Sequence, residues 1–453
     1  MRRGIMALEE LNGVGNDVAA EPTDFVDAPE NDLADAAVAE GEASAINDGI
    51  EEAGETAETL ENVRDRMEET LPEGGVSEPE AAALEVAVEH LCARVGFPRN
   101  RKVFPAMESF NSKSSRVNAT KIAIESIGEK IKSIWAAVMS ALRSAWEWIK
   151  KWWAGLFNAA KKMQVRAEGM VKLAKDHKGN AAGQKIKTGS FKRILIVDGK
   201  ALTADQATAA SLKSAYSKHT SDKFLNEDRS AVAKKVATDI TTQVNKKDEN
   251  TAAGELQKTL AYVSNATGGQ ETTSSGIDAP EGTKVYEEKL TFGGQSIFSI
   301  VGFSKESHTY SVKMGKTSGS ATEEATPDEI EAGSSADVGS LAQAIASHLS
   351  KYSKSTNSIQ DGITALTNLV SKVQNVKMSN PSGEKLIASL IRNTNAACTQ
   401  TAVLIKSYDA KVAKSLLDYV GASLGAGNKA AVVPKKDEKK AEEAKVSTEV
   451  ATT

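Results

Sequence analysis

Residues 126–157 read SIGEKIKSIWAAVMSALRSAWEWIKKWWAGLF. Ile127, Ile131, Ile134, Val138, Leu142, Ile149, Trp152 and Leu156 recur three or four positions apart, with one loose step at Ala145, which is the period of a helix with one apolar side. Lys130, Lys132, Arg143, Lys150 and Lys151 fall largely off that stripe. The pattern runs outward from Asn118 to about Lys175 and predicts one long amphipathic basic helix, with Gly128 and Gly155 as candidate breaks. All five tryptophans of the chain, Trp135, Trp146, Trp148, Trp152 and Trp153, lie in it. Two readings follow. Tryptophan supplies large buried area in a helix core or helix–helix interface. Beside Lys130, Lys132, Arg143, Lys150 and Lys151, the same indoles suit a membrane interface or nucleic acid, by stacking and charge. The longest charge-free run, residues 133–142, is about half the ~20 residues a membrane crossing needs.

Upstream the composition changes sign. Residues 1–108 hold 26 Asp+Glu and 8 Lys+Arg, a net of −18, and residues 109–453 hold 48 Lys+Arg and 35 Asp+Glu, a net of +13. An acidic leader before a basic body suggests polyanion contact or an electrostatic shield. Residues 1–60 are rich in Ala, Glu, Asp and Gly and are expected to be disordered, because they carry too little apolar surface to offset chain entropy. Leu60, Val63, Met67 and Leu71 predict a helix ending before Pro72, and Leu84, Val86, Val88 and Leu91 a second over 81–92. Pro98 and Pro105 bracket a short extended piece, 99–104. Met1-Arg2-Arg3 has the charge of a secretory n-region, but no apolar h-region follows; Met6 is an alternative start.

Downstream, residues 178–190 read as a loop. Residues 191–197 read as a strand closed by Asp198-Gly199, and 203–263 as polar helix. A Gly/Ser/Thr linker spans 265–283. Strand-like runs follow at 285–292, 296–303 and 309–314, the first two joined by Gly293-Gly294 as in a hairpin; residues 191–197 are a candidate addition to this meander. Residues 316–339 are loop-like. Tyr352, Ile359, Leu366 and Val373, with Leu349, Thr356, Ile363 and Val370, make a heptad seam. Beyond the break Asn380-Pro381-Ser382-Gly383, a second helix carries Ile387, Leu390, Thr394, Ala397, Thr401, Leu404 and Tyr408. The two are expected to fold back as an αα-hairpin over 340–425, ahead of a solvated charged tail at 428–453. The expected fold is α+β: mostly α, with a small antiparallel β meander in a middle domain at 191–315, a long helix within 109–177, the C-terminal hairpin, a disordered acidic N-terminus and a charged tail.

The residues give no sign of an enzyme. His90, His177, His219, His308 and His348 form no local pair. There is no Walker loop, dinucleotide fingerprint or nucleophile elbow. Cys92 and Cys398 stand 306 positions apart and build no disulfide framework or metal cluster. No catalytic residue, cofactor or metal is expected.

Residues 106–160, AMESFNSKSSRVNATKIAIESIGEKIKSIWAAVMSALRSAWEWIKKWWAGLFNAA, resemble the internal head, or inner-body, proteins of giant tailed bacteriophages. The resemblance covers about 60 residues well and the remainder in outline. It implies an acidic propeptide removed by a prohead protease after a small residue, any residue, then Glu. Carried over, Ala106 and Glu108 are recognition residues, Met107 is the free position, and the cut lies between Glu108 and Ser109. The triplet alone selects nothing, since Ala83-Leu84-Glu85, Ala87-Val88-Glu89, Ala123-Ile124-Glu125 and Ala253-Gly254-Glu255 match it equally; the charge step singles out this one. The resemblance further implies a virion protein inside the capsid, assembled in the host cytoplasm beside capsid or other internal head proteins and packaged DNA. The residues leave open a membrane-active or ejected effector acting on the host membrane through the Trp/Lys helix, a scaffold self-associating through 341–420, and a hydrolase hidden in the middle region.

Overall fold

The computed structural model describes residues 28–97, 102–105, 110–176, 183–244, 249–265, 269–272, 277–304, 309–318, 323–373 and 381–432. Helix α1 (Ala28–Thr70) and helix α2 (Glu78–Arg94) precede the axle of the fold, α3 (Lys113–Asp176), a helix of 64 residues and about 96 Å at 1.5 Å per residue. The amphipathic stripe of α3 is buried from Ile127 to Leu156. Gly128 and Gly155 do not break it. Each faces open space, where glycine costs a helix about 1 kcal/mol relative to alanine without ending it.

The leader differs most from expectation. From Ala28 onward the segment expected to be disordered is helical, and Ile50, Ala57, Leu60 and Met67 are buried. Composition undervalued it because a sparse stripe of apolar groups suffices once a long partner helix supplies the other half of the contact; tertiary packing carries most helical stability. The Val76 N–H donates to Thr120 Oγ1 at 3.0 Å, and the Trp135 indole N–H to Glu61 Oε1 at 3.3 Å. Stepping back from 76 to 61 thus matches stepping forward from 120 to 135, so α1 runs antiparallel along α3. Gly75, with φ +78, permits the close approach at the end of α1: a Cβ there would come 2.9 Å from the Arg116 carbonyl oxygen. Helix α2 starts at a capping residue, Ser77, whose N–H donates to Glu80 Oε2 at 2.8 Å, and it buries Ala81, Val88 and Cys92.

The middle of the chain opens with β1 (Lys185–Lys187). A 3₁₀ turn, Lys192–Leu195, leads into the two-residue hairpin β2 (Ile196–Val197) and β3 (Lys200–Ala201) about Asp198-Gly199, both with positive φ. The strand expected over 191–197 is therefore confined to its last two residues. Phe191, Ile194, Leu195 and Ile196 are all buried, and three consecutive buried side chains fit a helical turn better than the alternation of a strand. Helices α4 (Ala209–Ser221), α5 (Lys223–Asn226), α6 (Ser230–Val244) and α7 (Glu249–Asn265) follow.

The meander is an antiparallel sheet of four strands in sequence order, β4 (Gln270–Thr272), β5 (Lys284–Lys289), β6 (Gln295–Ser304) and β7 (Thr309–Ser318). Gly293 and Gly294 adopt φ +77 and +59 in its first long turn, as the hairpin reading requires. Val197 bridges to Phe292 there. β8 (Glu329–Glu331) returns to pair with β1, so both segments expected as loops contribute a short strand.

Helices α8 (Ser335–Leu349), α9 (Tyr352–Val373), α10 (Pro381–Thr394) and α11 (Thr401–Val432), with a π-helical stretch Asn395–Gln400 between the last two, close the fold. The heptad positions Leu349, Tyr352, Ile363, Leu366 and Val370 are buried, as are Ile387, Leu390, Thr394, Ala397, Thr401 and Tyr408. The two segments do meet as a fold-back requires, since the Tyr352 hydroxyl donates to the Lys406 carbonyl at 3.0 Å and Ile363 lines one cleft with Cys398, but most of each stripe is covered from elsewhere. α9 lies chiefly against α6 and α3, α10 against α7, and α11 against α3 and α8. A seven-residue repeat specifies an apolar stripe, not the element that will cover it. Helix α11 also extends into the segment expected as a tail, as far as Val432; residues 433–453 lie outside the described residues. Buried side chains from Ile50 to Leu424 form one continuous core.

Candidate functional site

Sequence distance hid the most unusual polar group of the fold. Asp409 on α11 accepts the Nε2 of His219 (α4) on Oδ1 at 2.8 Å and the Nε2 of His348 (α8) on Oδ2 at 2.9 Å. The carboxylate is 6 % exposed and the His219 ring 1 %. Tyr216 stacks on His219 at 5.8 Å, Tyr408 meets the same ring edge-on at 5.3 Å, and Tyr352 meets His348 at 6.2 Å. Burial alone would raise the Asp409 pKa, but hydrogen bonds from both imidazoles hold it well below the usual carboxylate range. Burial, with the charge of Asp409, drives the Tyr216 and Tyr352 phenols well above theirs. Asp409 thus stays ionised and the phenols neutral. Each histidine must carry its proton on Nε2 to donate, a tautomer inferred from the hydrogen-bond partner.

Beside His348 a cleft of about 610 Å³ opens, lined by Arg229, Lys351, Tyr352, Cys398 and Lys406 among others, a size common for small-molecule pockets. Several of its cations are engaged by the protein, although the Nε and Nη2 of Arg229 are buried with no hydrogen-bond partner among the described residues. Arg229 Nη1 donates to the Phe224 carbonyl at 3.1 Å while the guanidinium lies 4.6 Å over the Phe224 ring. Lys406 Nζ sits 4.9 Å over Tyr352. Burial pushes the Cys398 thiol up to about 12, which disarms it as a nucleophile near neutral pH. Among the described residues neither His219 nor His348 has a hydrogen bond to a hydroxyl or thiol, and no group of histidine, cysteine and carboxylate side chains could hold a metal ion. The arrangement ties three helices together; it lacks the paired base and nucleophile of covalent catalysis.

The residues singled out in the long helix divide by face. Trp146 and Trp153 are 0 % exposed and Trp152 5 %, while Trp135 and Trp148 are half-buried against the core. Trp146 donates its indole N–H to Asn395 Oδ1 at 2.7 Å. Three of the five indoles therefore cannot reach DNA or a bilayer without α3 leaving its neighbours, and packing is what they do in this fold. Lys132 and Lys151 are exposed. Lys130, Arg143 and Lys150 are half-exposed, and Lys150 pairs with Glu147 at 2.6 Å. Among the described residues no helix is long and apolar enough to cross a membrane.

Ala106, Met107, Glu108 and Ser109 lie outside the described residues. Their flanks are fixed. The Glu85 carboxylate accepts the N–H groups of Val103 and Phe104, each at 2.9 Å, and the Phe104 and Phe110 rings stand 6.1 Å apart, both buried.

A family model described as phiKZ-like phage internal head proteins matches residues 31–425 of the chain. No curated protein and no solved structure matches it.

Proposed function

Since the chain belongs to the phiKZ-like phage internal head proteins and is thus a structural protein of the virion, housed inside the phage head, we propose that it is made as a precursor and matured by a prohead protease cutting between Glu108 and Ser109. Assembly takes place in the host cytoplasm, beside capsid or other internal head proteins. Removal of the leader takes away a net charge of −18 and leaves a body of +13. That body associates with packaged DNA through Lys and Arg contacts to phosphate, which release counterions, ignore base sequence and weaken with salt. Exposed lysines such as Lys132 and Lys151 are the part of α3 available for this.

The charge step at Glu108 is the observation that carries the reading. The fixed flanks at Phe104 and Phe110 agree with it, since they bracket the four residues of the cut. Mass spectrometry of the protein taken from purified particles is the test. A mature N-terminus at Ser109 is expected. A chain in the particle that retains its leader in one piece with the body refutes the maturation step.

A further inference from the structure

In this fold the acidic leader is part of the core. Its helix α1 lies antiparallel along the N-terminal half of α3, with Ile50, Ala57, Leu60 and Met67 buried. It also meets α11 and, near its own middle, α10. There Arg392, 7 % exposed, donates from Nη2 to Glu58 Oε1 at 3.0 Å, and Ser389 Oγ donates to the same oxygen at 3.0 Å. Glu51, about two helical turns upstream, faces Lys313 and Arg392. Between these acids stands Gly54, and the Arg392 guanidinium occupies the space a side chain would need: a Cβ at 54 would collide with Arg392 Nη1. A carboxylate on either side of a glycine notch, on a helix with an apolar stripe, is therefore matched to one buried cation and one apolar face.

We propose that the face formed by α3, α10 and α11 is a binding groove for an acidic amphipathic helix, and that it keeps residues 28–94 bound after the backbone is cut between Glu108 and Ser109. Its timing rests on the maturation reading above; its contacts do not. Cutting and release are then separate events. The cut chain remains covered until something removes α1, and removal exposes a mixed apolar and cationic surface that takes another helix of the same chemistry.

The experiment uses the full chain with a recognition sequence for a site-specific protease inserted between Pro105 and Phe110. The folded protein is cut and passed over gel filtration at about micromolar concentration. The groove requires both fragments to elute together, and to separate when urea is added. Glu58→Gln removes the partner of a nearly buried cation and should weaken retention about tenfold or more. Gly54→Leu should do the same although leucine is the better helix former, because it fills the notch. Circular dichroism and elution of each uncut variant confirm that it folds. Fragments that part on cutting, with no denaturant, overturn the groove, and so does retention indifferent to both substitutions. The inserted site makes this result independent of whether the phage protease cuts at Glu108, a question the virion N-terminus decides separately.

Discussion

Replacing Trp146 by phenylalanine tests whether the tryptophans of α3 are core or contact surface. Trp146 is 0 % exposed and its indole N–H donates at 2.7 Å to Asn395 Oδ1, an amide 1 % exposed at the start of the π-helical stretch. Phenylalanine keeps most of the ring but deprives that buried carbonyl of its donor, which costs about 1–3 kcal/mol. The lost ring volume adds roughly 1 kcal/mol. The expected destabilisation is about 2–4 kcal/mol. It is read as a lower midpoint in urea unfolding followed by circular dichroism, the midpoint being preferred because a chain this long need not unfold in two states. DNA affinity of the folded variant, and its affinity for anionic vesicles, should equal those of the parent. Changing Lys132 and Lys151 to glutamine should give the opposite pattern: stability within about 0.5 kcal/mol and a shallower salt dependence of DNA binding, by about one unit of slope per lost phosphate contact. An unchanged midpoint in Trp146→Phe together with lost DNA or vesicle binding would refute the core assignment.

Two further outcomes follow from buried titratable groups. Asp409, held low by His219 and His348, contributes stability that is fully present above its unfolded pKa of about 3.9 and is lost as pH falls through the lower folded value. Urea midpoints measured from about pH 7 down to about pH 2 should therefore fall steeply on the acid side for the parent. For Asp409→Asn they should start lower at neutral pH and decline less; parallel curves would show that the carboxylate is not held low. Cys398 is pushed up to about 12 and Cys92 is also raised, both by burial. A thiol reagent near pH 8 should label neither until denaturant is added, and labelling of the native chain at the rate of a free thiol would place one of them outside the core.

The parts of this fold that could be read in the sequence share one property: the signal is local and repeated. The α3 stripe from Ile127 to Leu156 recurs over eight turns or so, and the Gly293-Gly294 turn states its own backbone requirement. The heptad positions around Ile363 and Leu366 were legible as helix and the fold-back onto the segment of Cys398 and Lys406 with them, but the larger share of the cover was not, because α6 and α3 supply faces more than a hundred residues away. β4, β1 and β8 are three residues each, too short for a period of two to register. The cluster at Asp409 was illegible for a different reason. His219 and His348 lie 190 and 61 positions from it, and neither carries a neighbour that marks it. A histidine three or four positions from a tyrosine, as in Tyr216/His219 and His348/Tyr352, was the local hint, and it is a weak one.

Net charge marks where the composition changes sign and is a poor guide to what holds the leader. Several leader acids pair within the leader itself, as Glu52 does with Arg94 and Asp65 with Arg64. Exposed charges more than about 8 Å apart are largely screened at physiological salt, so a net of −18 facing +13 exerts little pull between separated surfaces. What remains is short-range: Leu60 and Met67 sealed against α3, the Trp135 indole on Glu61, and one nearly buried guanidinium seated beside Gly54 on Glu58. Apolar burial strengthens rather than weakens with many salts, and a pair excluded from water is screened much less than a surface pair. Salt should thus loosen DNA from the body at concentrations that leave the leader in its groove, which separates the two electrostatic roles that composition alone merges into one.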